Sequence, residues 1–285
     1  MLIDTTKKFL IVGLGLMGGG YARGLKRFGF EVSAITNDQK TLDYALENNI
    51  IDSGSVLPDT DLIEKADIII FALYPHIFIE WIKENQQYIK SGALITDVTG
   101  VKSCVVYKVQ DILRDDVEFI AAHPMAGREV SGVENSTDEI FKGANYIVTP
   151  TEKNTLSAIE ACMQLGKVLG FKTISTLSPE EHDDMIGFVS QLTHCIAVSL
   201  MTCNDDEGME RFTGDSFRDL TRIAKINEVM WSELFIDNKE HLLRQMNMFL
   251  RQFEKLKKTL EDEDAEEMKK IMRLSTERRK IFDKE

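Results

Sequence analysis

The chain has 285 residues, 43% hydrophobic and 28% charged, with 34 basic against 47 acidic side chains for a formal net charge of −13. That length allows one large or two ordinary domains with a substantial core. The acidic balance argues against nucleic acid as the main partner, because phosphate binding needs a basic surface.

Residues 8–20, KFLIVGLGLMGGG, read as a short apolar strand running into a glycine-rich turn, with a helix over 21–28. Gly13-x-Gly15-x-x-Gly18, enclosing Leu14, Leu16 and Met17, fits the dinucleotide fingerprint. Its glycines allow a tight turn and close approach of a pyrophosphate, which the helix N-terminus then faces. The next strand, 30–35, ends in Thr36-Asn37-Asp38. An NAD site usually has a carboxylate at the end of this strand to hold the ribose hydroxyls. Here Thr36 holds that position and Asp38 comes two residues late; no arginine follows directly for a 2′-phosphate, so NAD is preferred and NADP stays open. A helix over 39–48 follows. Residues 66–73, ADIIIFAL, form a fully buried parallel strand ending in Leu73-Tyr74-Pro75, a loop predicted to pass the nicotinamide half of the cofactor. His76 beyond it reads as a loop or packing residue.

Helical spacing over 77–89 and strands at 93–97, 117–121, 145–150 and 171–177 complete an alternation that predicts a doubly wound α/β sheet. Functional loops of such sheets lie at the carboxyl ends of strands. Residues 13–18, 97–102 and 123–129 therefore converge on one edge, with His123 on a constrained loop as the candidate acid–base group. An amphipathic helix over 156–169 is capped by Gly170, and Ser178-Pro179-Glu180-Glu181 reads as a helix start with a capping box. From there the chain is almost wholly helical, which divides it into a Rossmann-type domain at 1–177 and an all-α domain at 178–285.

The helix over 182–203 is apolar nearly all round, as suits a domain or subunit boundary, and carries Gln191 and His194 three apart on a similar face. Arg218, Arg222 and Lys225 recur at helical spacing, either as a solvated face or as a carboxylate site. The four cysteines, Cys104, Cys162, Cys195 and Cys203, form no CxxC pair and read as reduced, buried thiols of a cytosolic protein. No metal site is predicted. The first strand begins within ten residues of Met1, so no signal peptide is expected, and the apolar runs read as short of a membrane span. The expectation is a cytoplasmic protein.

Five ordered motifs carry a resemblance: GLGLMGG at 13–19, DVTGVK at 97–102, HPMAGREVSG at 123–132, EHDDMIGFVSQLTH at 181–194 and FRDLTRIAKINEVMW at 217–231. Together they resemble prephenate dehydrogenases and their arogenate-using relatives, over nearly the whole chain. The form is the short one, without a chorismate mutase or regulatory domain. The resemblance implies that His123 is catalytic at the substrate's ring hydroxyl and that Arg222 binds a substrate carboxylate. It also implies that His194 lies in the substrate pocket, Glu129 lies at its edge, and Asp219 and Trp231 shape or support it. A homodimer through the C-terminal helices fits this plan.

Three departures stand out. Gly100 replaces a family serine that orients the histidine, so Thr99 or a water is expected to take that role. Gln191 replaces a pocket histidine. Arg128 stands where a small hydroxyl residue is usual and adds a cation beside the pocket. The implied reaction is hydride transfer from C4 of prephenate to NAD, with His123 taking the hydroxyl proton and CO2 leaving to give 4-hydroxyphenylpyruvate. Activity is then expected to fall as pH drops through about 6.5, the unperturbed imidazole value. Arogenate or another small hydroxy acid as substrate, and a non-catalytic dinucleotide-binding regulator, are the alternatives.

Overall fold

A computed structural model describes residues 2–282. Its first sheet has six parallel strands in the order β3-β2-β1-β4-β5-β6. The strands are β1 (Lys8–Val12), β2 (Glu31–Ile35), β3 (Ser53–Ser55), β4 (Ile68–Phe71), β5 (Leu94–Asp97) and β6 (Glu118–Phe119). Helices α1 (Leu16–Arg27) and α2 (Gln39–Glu47) cover one face; α3 (Thr60–Lys65), α4 (Pro75–Asn85) and α5 (Ser103–Ile112) cover the other.

The strand sequences explain this sandwich. On β1, Phe9 and Ile11 enter one apolar cluster while Leu10 and Val12 enter the other; on β4, Ile68 and Ile70 divide from Ile69 and Phe71 in the same way. A strand apolar at every position satisfies two cores because successive side chains point to opposite faces. Each such side chain, buried fully, stabilises the fold by about 1.5–3 kcal/mol. The strand order reverses between β1 and β4, which opens a crevice at their carboxyl ends. Gly13 turns the chain there at φ +95°, and a Cβ at that position would lie 2.4 Å from the Ala72 carbonyl oxygen. Only glycine fits both conditions.

The strand predicted at 117–121 divides in two. β6 stops at Phe119, and the chain re-enters as β7 (Ala121–Met125) in a second sheet with β8 (Asn145–Thr149) and β9 (Thr173–Thr176). β7 runs antiparallel to β8, with His123 opposite Ile147, and β8 runs parallel to β9. His123 therefore sits on a strand, not on the loop that the flanking proline and glycine suggested.

One buried ion pair joins the two sheets. Asp97, at the end of β5, and Lys102 are both fully buried, with Nζ 2.7 Å from Oδ2. Asp97 Oδ1 accepts the Ala122 N–H at 3.0 Å, and Lys102 Nζ donates to the Ala122 carbonyl at 2.6 Å. Both backbone groups of the residue before His123 are thus held by opposite charges.

The amphipathic helix α6 (Leu156–Leu169) ends at Gly170 in the left-handed conformation, as its sequence predicts. α7 (Pro179–Ile186) opens on the predicted capping box: Ser178 accepts from Glu181 N and the Glu181 side chain accepts from Ser178 N. The helix does not continue regularly. A π-helical segment, Gly187–Leu192, precedes α8 (Thr193–Thr202). The predicted helix after Thr213 is also broken: α9 (Asp215–Thr221) gives way to a 3-10 turn, Arg222–Ala224, before α10 (Glu228–Asp237). Arg218, Arg222 and Lys225 therefore do not share one helical face. α11 (Lys239–Glu261) and α12 (Ala265–Arg279) follow.

Two smaller expectations are corrected. Only Cys162 is buried; Cys104 and Cys195 are partly exposed and Cys203 is exposed, all as free thiols. The continuous helical run Pro179–Thr202 has the length and hydropathy of a membrane span, 24 residues with a mean hydropathy of 1.4 in its best window. It also buries His182, Asp183 and Gln191, each hydrogen-bonded to neighbouring elements, which is how an apolar helix of a packed domain behaves.

Removing one partner of a buried pair strands the other charge, at a cost of about 3–5 kcal/mol. Asp97→Ala is expected to lose stability on that scale in urea unfolding. The double variant Asp97→Leu/Lys102→Met is expected to lose less than Asp97→Ala alone. A double variant as unstable as the sum of the single ones would refute this account of the joint.

Candidate active site

His123 projects from β7 toward the helical domain. Its Nδ1 lies 2.9 Å from Nε2 of His182 on α7. His182 Nδ1 in turn lies 2.8 Å from Asp183 Oδ1. The Asp183 carboxylate also accepts Lys102 N at Oδ1 and Ser103 N at Oδ2, both at 2.8 Å, and so caps the N-terminus of α5. Sequence reasoning misses His182. Its one signal is its place in EHDD, directly after the capping box.

Burial, more than any neighbouring charge, lowers the pKa of both rings. Burial, followed by the neighbouring His182 and Lys102, pushes the His123 pKa well below the usual imidazole value. Burial also lowers His182, against the opposing pull of Asp183. Burial would raise Asp183, but the His182 bond and the Ser103 bonds outweigh it and hold the carboxyl below its ordinary range.

Thr99 does not orient His123 as expected. Its hydroxyl sits between Asp97 Oδ2 and the Val101 carbonyl and accepts from Lys102 Nζ at 3.2 Å, all within the buried joint. Gly100 does lie against the catalytic candidate. A Cβ there would stand 4.0 Å from His123 Cε1 and 3.5 Å from Leu234 Cδ1 of α10. A helical side chain thus covers the space that a larger residue at 100 would share.

Around this centre the structure gathers most of the predicted binding residues. The rings of His194 and Trp231 stack with centroids 3.8 Å apart. His194 Nδ1 donates to the Ser190 carbonyl at 2.9 Å, which leaves Nε2 as its acceptor. Burial lowers the His194 pKa, with Glu129 and Arg222 close enough to act on it in opposite directions. Arg222 and Glu129 form an ion pair with both side chains substantially exposed. Trp231 and Leu234 are three apart on α10, so the stacked pair and the cover of His123 share one helix face. Arg128 is exposed on the loop after β7, and Asp219 is exposed on α9.

Gln191 is not free to meet a ligand. It is 1% exposed, donates from Nε2 to the Leu234 carbonyl at 2.9 Å and accepts from Asn238 Nδ2 at 2.7 Å. Each π-type turn adds a residue relative to an α-turn, rotating the downstream residues by roughly 100°. Gln191 and His194 nonetheless both face α10, the first at the Leu234 carbonyl and the second at the Trp231 ring.

The glycine turn fits a dinucleotide. Gly15 caps α1 without any side-chain bond, and a Cβ at Gly15 would meet nothing within 4 Å, so the helix N-terminus opens onto space. Leu14 is buried in the core, while Leu16 and Met17 are half-buried at the helix start. Across the crevice, Leu73 Cδ2 lies 2.8 Å from where a Gly13 Cβ would be, Tyr74 is the N-cap of α4 and Pro75 its first residue. At the end of β2, Thr36 is buried and Asn37 exposed, while Asp38 Oδ2 accepts from Thr41 N and Oγ1 as the cap of α2. His76 is more than packing: Nδ1 lies 2.6 Å from Glu233 Oε1, tying the first turn of α4 to α10.

A buried imidazole of lowered pKa, an exposed arginine and an open helix N-terminus after a glycine turn can together support proton abstraction coupled to hydride transfer. Comparisons with known proteins point the same way. Residues 21–175 match the family model for the nucleotide-binding domain of prephenate dehydrogenase, and residues 178–274 match the model for its dimerization domain. A prephenate dehydrogenase of Bacillus subtilis is 31% identical over 91% of this chain and 71% of its own. One from Lactococcus lactis is 34% identical over 93% of this chain and 76% of its own. The crystal structure of prephenate dehydrogenase from A. aeolicus with hydroxyphenyl propionate and NAD+ is 30% identical, covers 99% of both chains and superposes with a TM-score of 0.89.

Proposed function

The chain belongs to the prephenate dehydrogenase family, and from that premise we propose that it oxidatively decarboxylates prephenate to 4-hydroxyphenylpyruvate, in tyrosine biosynthesis. It is an NAD-dependent oxidoreductase, and NAD, when bound at the glycine turn, supplies the hydride acceptor. The observation that carries the reading is a buried imidazole, His123, in the middle of β7, with Nδ1 held by His182 and its pKa lowered by burial.

His123 takes the proton of the C4 hydroxyl as hydride leaves that carbon, so positive charge does not build up there. Arg222 anchors a substrate carboxylate; its guanidinium has five donors, more than the contact with Glu129 uses. Arg128 adds a second cation at the rim. The stacked His194 and Trp231 form a flat wall for a six-membered ring, with Nε2 of His194 left to accept a hydrogen bond. Loss of CO2 then yields the aromatic product and makes the step effectively irreversible.

Residues 1–177 serve as the cofactor domain and 178–285 as the substrate and dimerisation domain. The exposed apolar side chains Met185, Phe188, Val189 and Met201 on the α7–α8 run support pairing of two copies there, as does the dimerization-domain match. The enzyme works in the cytoplasm, as befits relatives that are bacterial biosynthetic dehydrogenases.

Purified protein given prephenate or arogenate, each with NAD or NADP, is expected to reduce NAD fastest with prephenate, followed by absorbance of the reduced cofactor. No reduction in any of the four mixtures would sink the enzymatic reading. His123→Asn is expected to lower kcat by about 10²–10⁴-fold, the usual contribution of a general base. An unchanged kcat would remove His123 from that role.

The pH dependence is sharper than the sequence alone implied. Neutral His123 is the active form, and burial lowers its pKa, so protonation sets in only at lower pH. The acid limb of kcat/KM is therefore expected to have its midpoint below about 6.5, the unperturbed value. A midpoint at or above that value would contradict the burial of the base.

A further inference from the structure

We infer that His182 and Asp183 are positioning residues that set the tautomer of His123, leaving its Nε2 as the unprotonated nitrogen that meets the substrate. The inference rests on the functional reading above for the identity of the reaction, but the tautomer itself does not depend on it.

Hydrogen-bond bookkeeping leads to this assignment. Asp183 already accepts two backbone N–H bonds from Lys102 and Ser103, so its carboxylate is an acceptor in a fixed orientation. His182 Nδ1, 2.8 Å from Asp183 Oδ1, must donate to it. A neutral His182 then carries no proton on Nε2, which becomes an acceptor. His123 Nδ1, 2.9 Å away, must donate to that acceptor. A neutral His123 with its proton on Nδ1 has a lone pair on Nε2. The opposite polarity, with the His182 proton on Nε2, would set the lone pair of its Nδ1 against the Asp183 carboxylate.

Capping of α5 explains why a carboxylate stands at 183, but not why Oδ1 also reaches His182. The row also explains how His123 keeps its orientation with glycine at 100 and the Thr99 hydroxyl tied up in the buried joint. His182 is completely buried, so no solvent rearrangement competes for its two nitrogens.

The test uses the full-length protein labelled with ¹⁵N at its five histidines, with the His123 signals assigned by their loss in His123→Asn. Wild type is expected to carry the His123 proton on Nδ1. Asp183→Asn, whose amide can donate toward His182, is expected to move it to Nε2. The same variant is expected to lower kcat by about 10- to 100-fold while KM for prephenate and NAD stays within about twofold, as loss of the correct tautomer does. His182→Phe is expected to lose activity similarly. His182→Gln, which offers both an acceptor to His123 and a donor to Asp183, is expected to recover most of it.

An Nε2–H tautomer of His123 in wild type would overturn the inference, as would wild-type kcat in folded Asp183→Asn and His182→Phe. Should either variant fail to fold, the wild-type spectrum still decides. Failure of wild type to oxidise prephenate or arogenate counts against the functional reading alone, because the tautomer measurement needs no turnover.

Discussion

Two charges, Asp97 and Lys102, are completely removed from solvent, and the placement of the reactive histidine depends on them. A buried pair of this kind contributes little net stability, since desolvation offsets most of the attraction. What it supplies here is register. β7 is antiparallel to β8 and forms no backbone ladder with the large sheet, where regular pairing with β5 ends at the bond from Ile120 N to the Ile95 carbonyl. Asp97 and Lys102 hold β7 beyond that point by gripping the N–H and the carbonyl of Ala122, one residue before His123. The same requirement consumes Thr99, whose hydroxyl completes the coordination of the lysine.

The second constraint comes from the helical domain, which meets the first through helix ends more than through apolar faces. Asp183 of α7 caps α5 across the domains, while Asn238 bonds the Asp183 carbonyl and Gln191 within the helical domain. Glu233 of α10 holds His76. The Asp183 contact satisfies the N–H groups at the start of α5 that would otherwise be stranded. Leu234, Trp231 and His182 reach the site because these caps place α7 and α10 over the ends of the strands. The substrate side of the crevice is a consequence of capping chemistry.

The parts legible in the sequence are those governed by local rules. Apolar runs at β1 and β4, the positive-φ turn at Gly13, the Ser178 capping box and the Gly170 stop each follow from residues within a few positions of one another. The misread parts depend on partners far along the chain. His123 looks like a loop residue because Pro124 and Gly127 flank it, yet its strand is made by pairing with Ile147 and its neighbours. The π-helical segment leaves no mark on an apolar stretch that reads equally well as a regular helix. Gln191 stands three residues before His194 and both meet α10, but the pattern does not reveal that Gln191 is used up by the Leu234 carbonyl and Asn238. Thr99 adjoins Gly100, but adjacency does not reveal a lysine buried three residues later. His182 is invisible because its partners, 59 residues away at His123 and adjacent at Asp183, acquire meaning only together.

A lowered pKa makes His123 a weaker base, which at first works against proton abstraction. The electrostatics resolve this. The nearest cation, Lys102, is neutralised by Asp97, yet its field and the dry surroundings still penalise an imidazolium. A base kept neutral is available in full at physiological pH, whereas one with an ordinary value would already be partly protonated as conditions turned acidic. Basicity matters less here than elsewhere, because a hydroxyl on a carbon losing hydride becomes far more acidic as the reaction proceeds. The proton is needed late, when the donor is strongest, so a weak base that is always ready serves better than a strong one that is sometimes filled. With a net charge of −13 the chain offers no general attraction for an anion; Arg128 and Arg222 are exposed cations, the latter paired with Glu129. On the proposed reading the exposed arginines bind carboxylates, while burial keeps the proton acceptor empty.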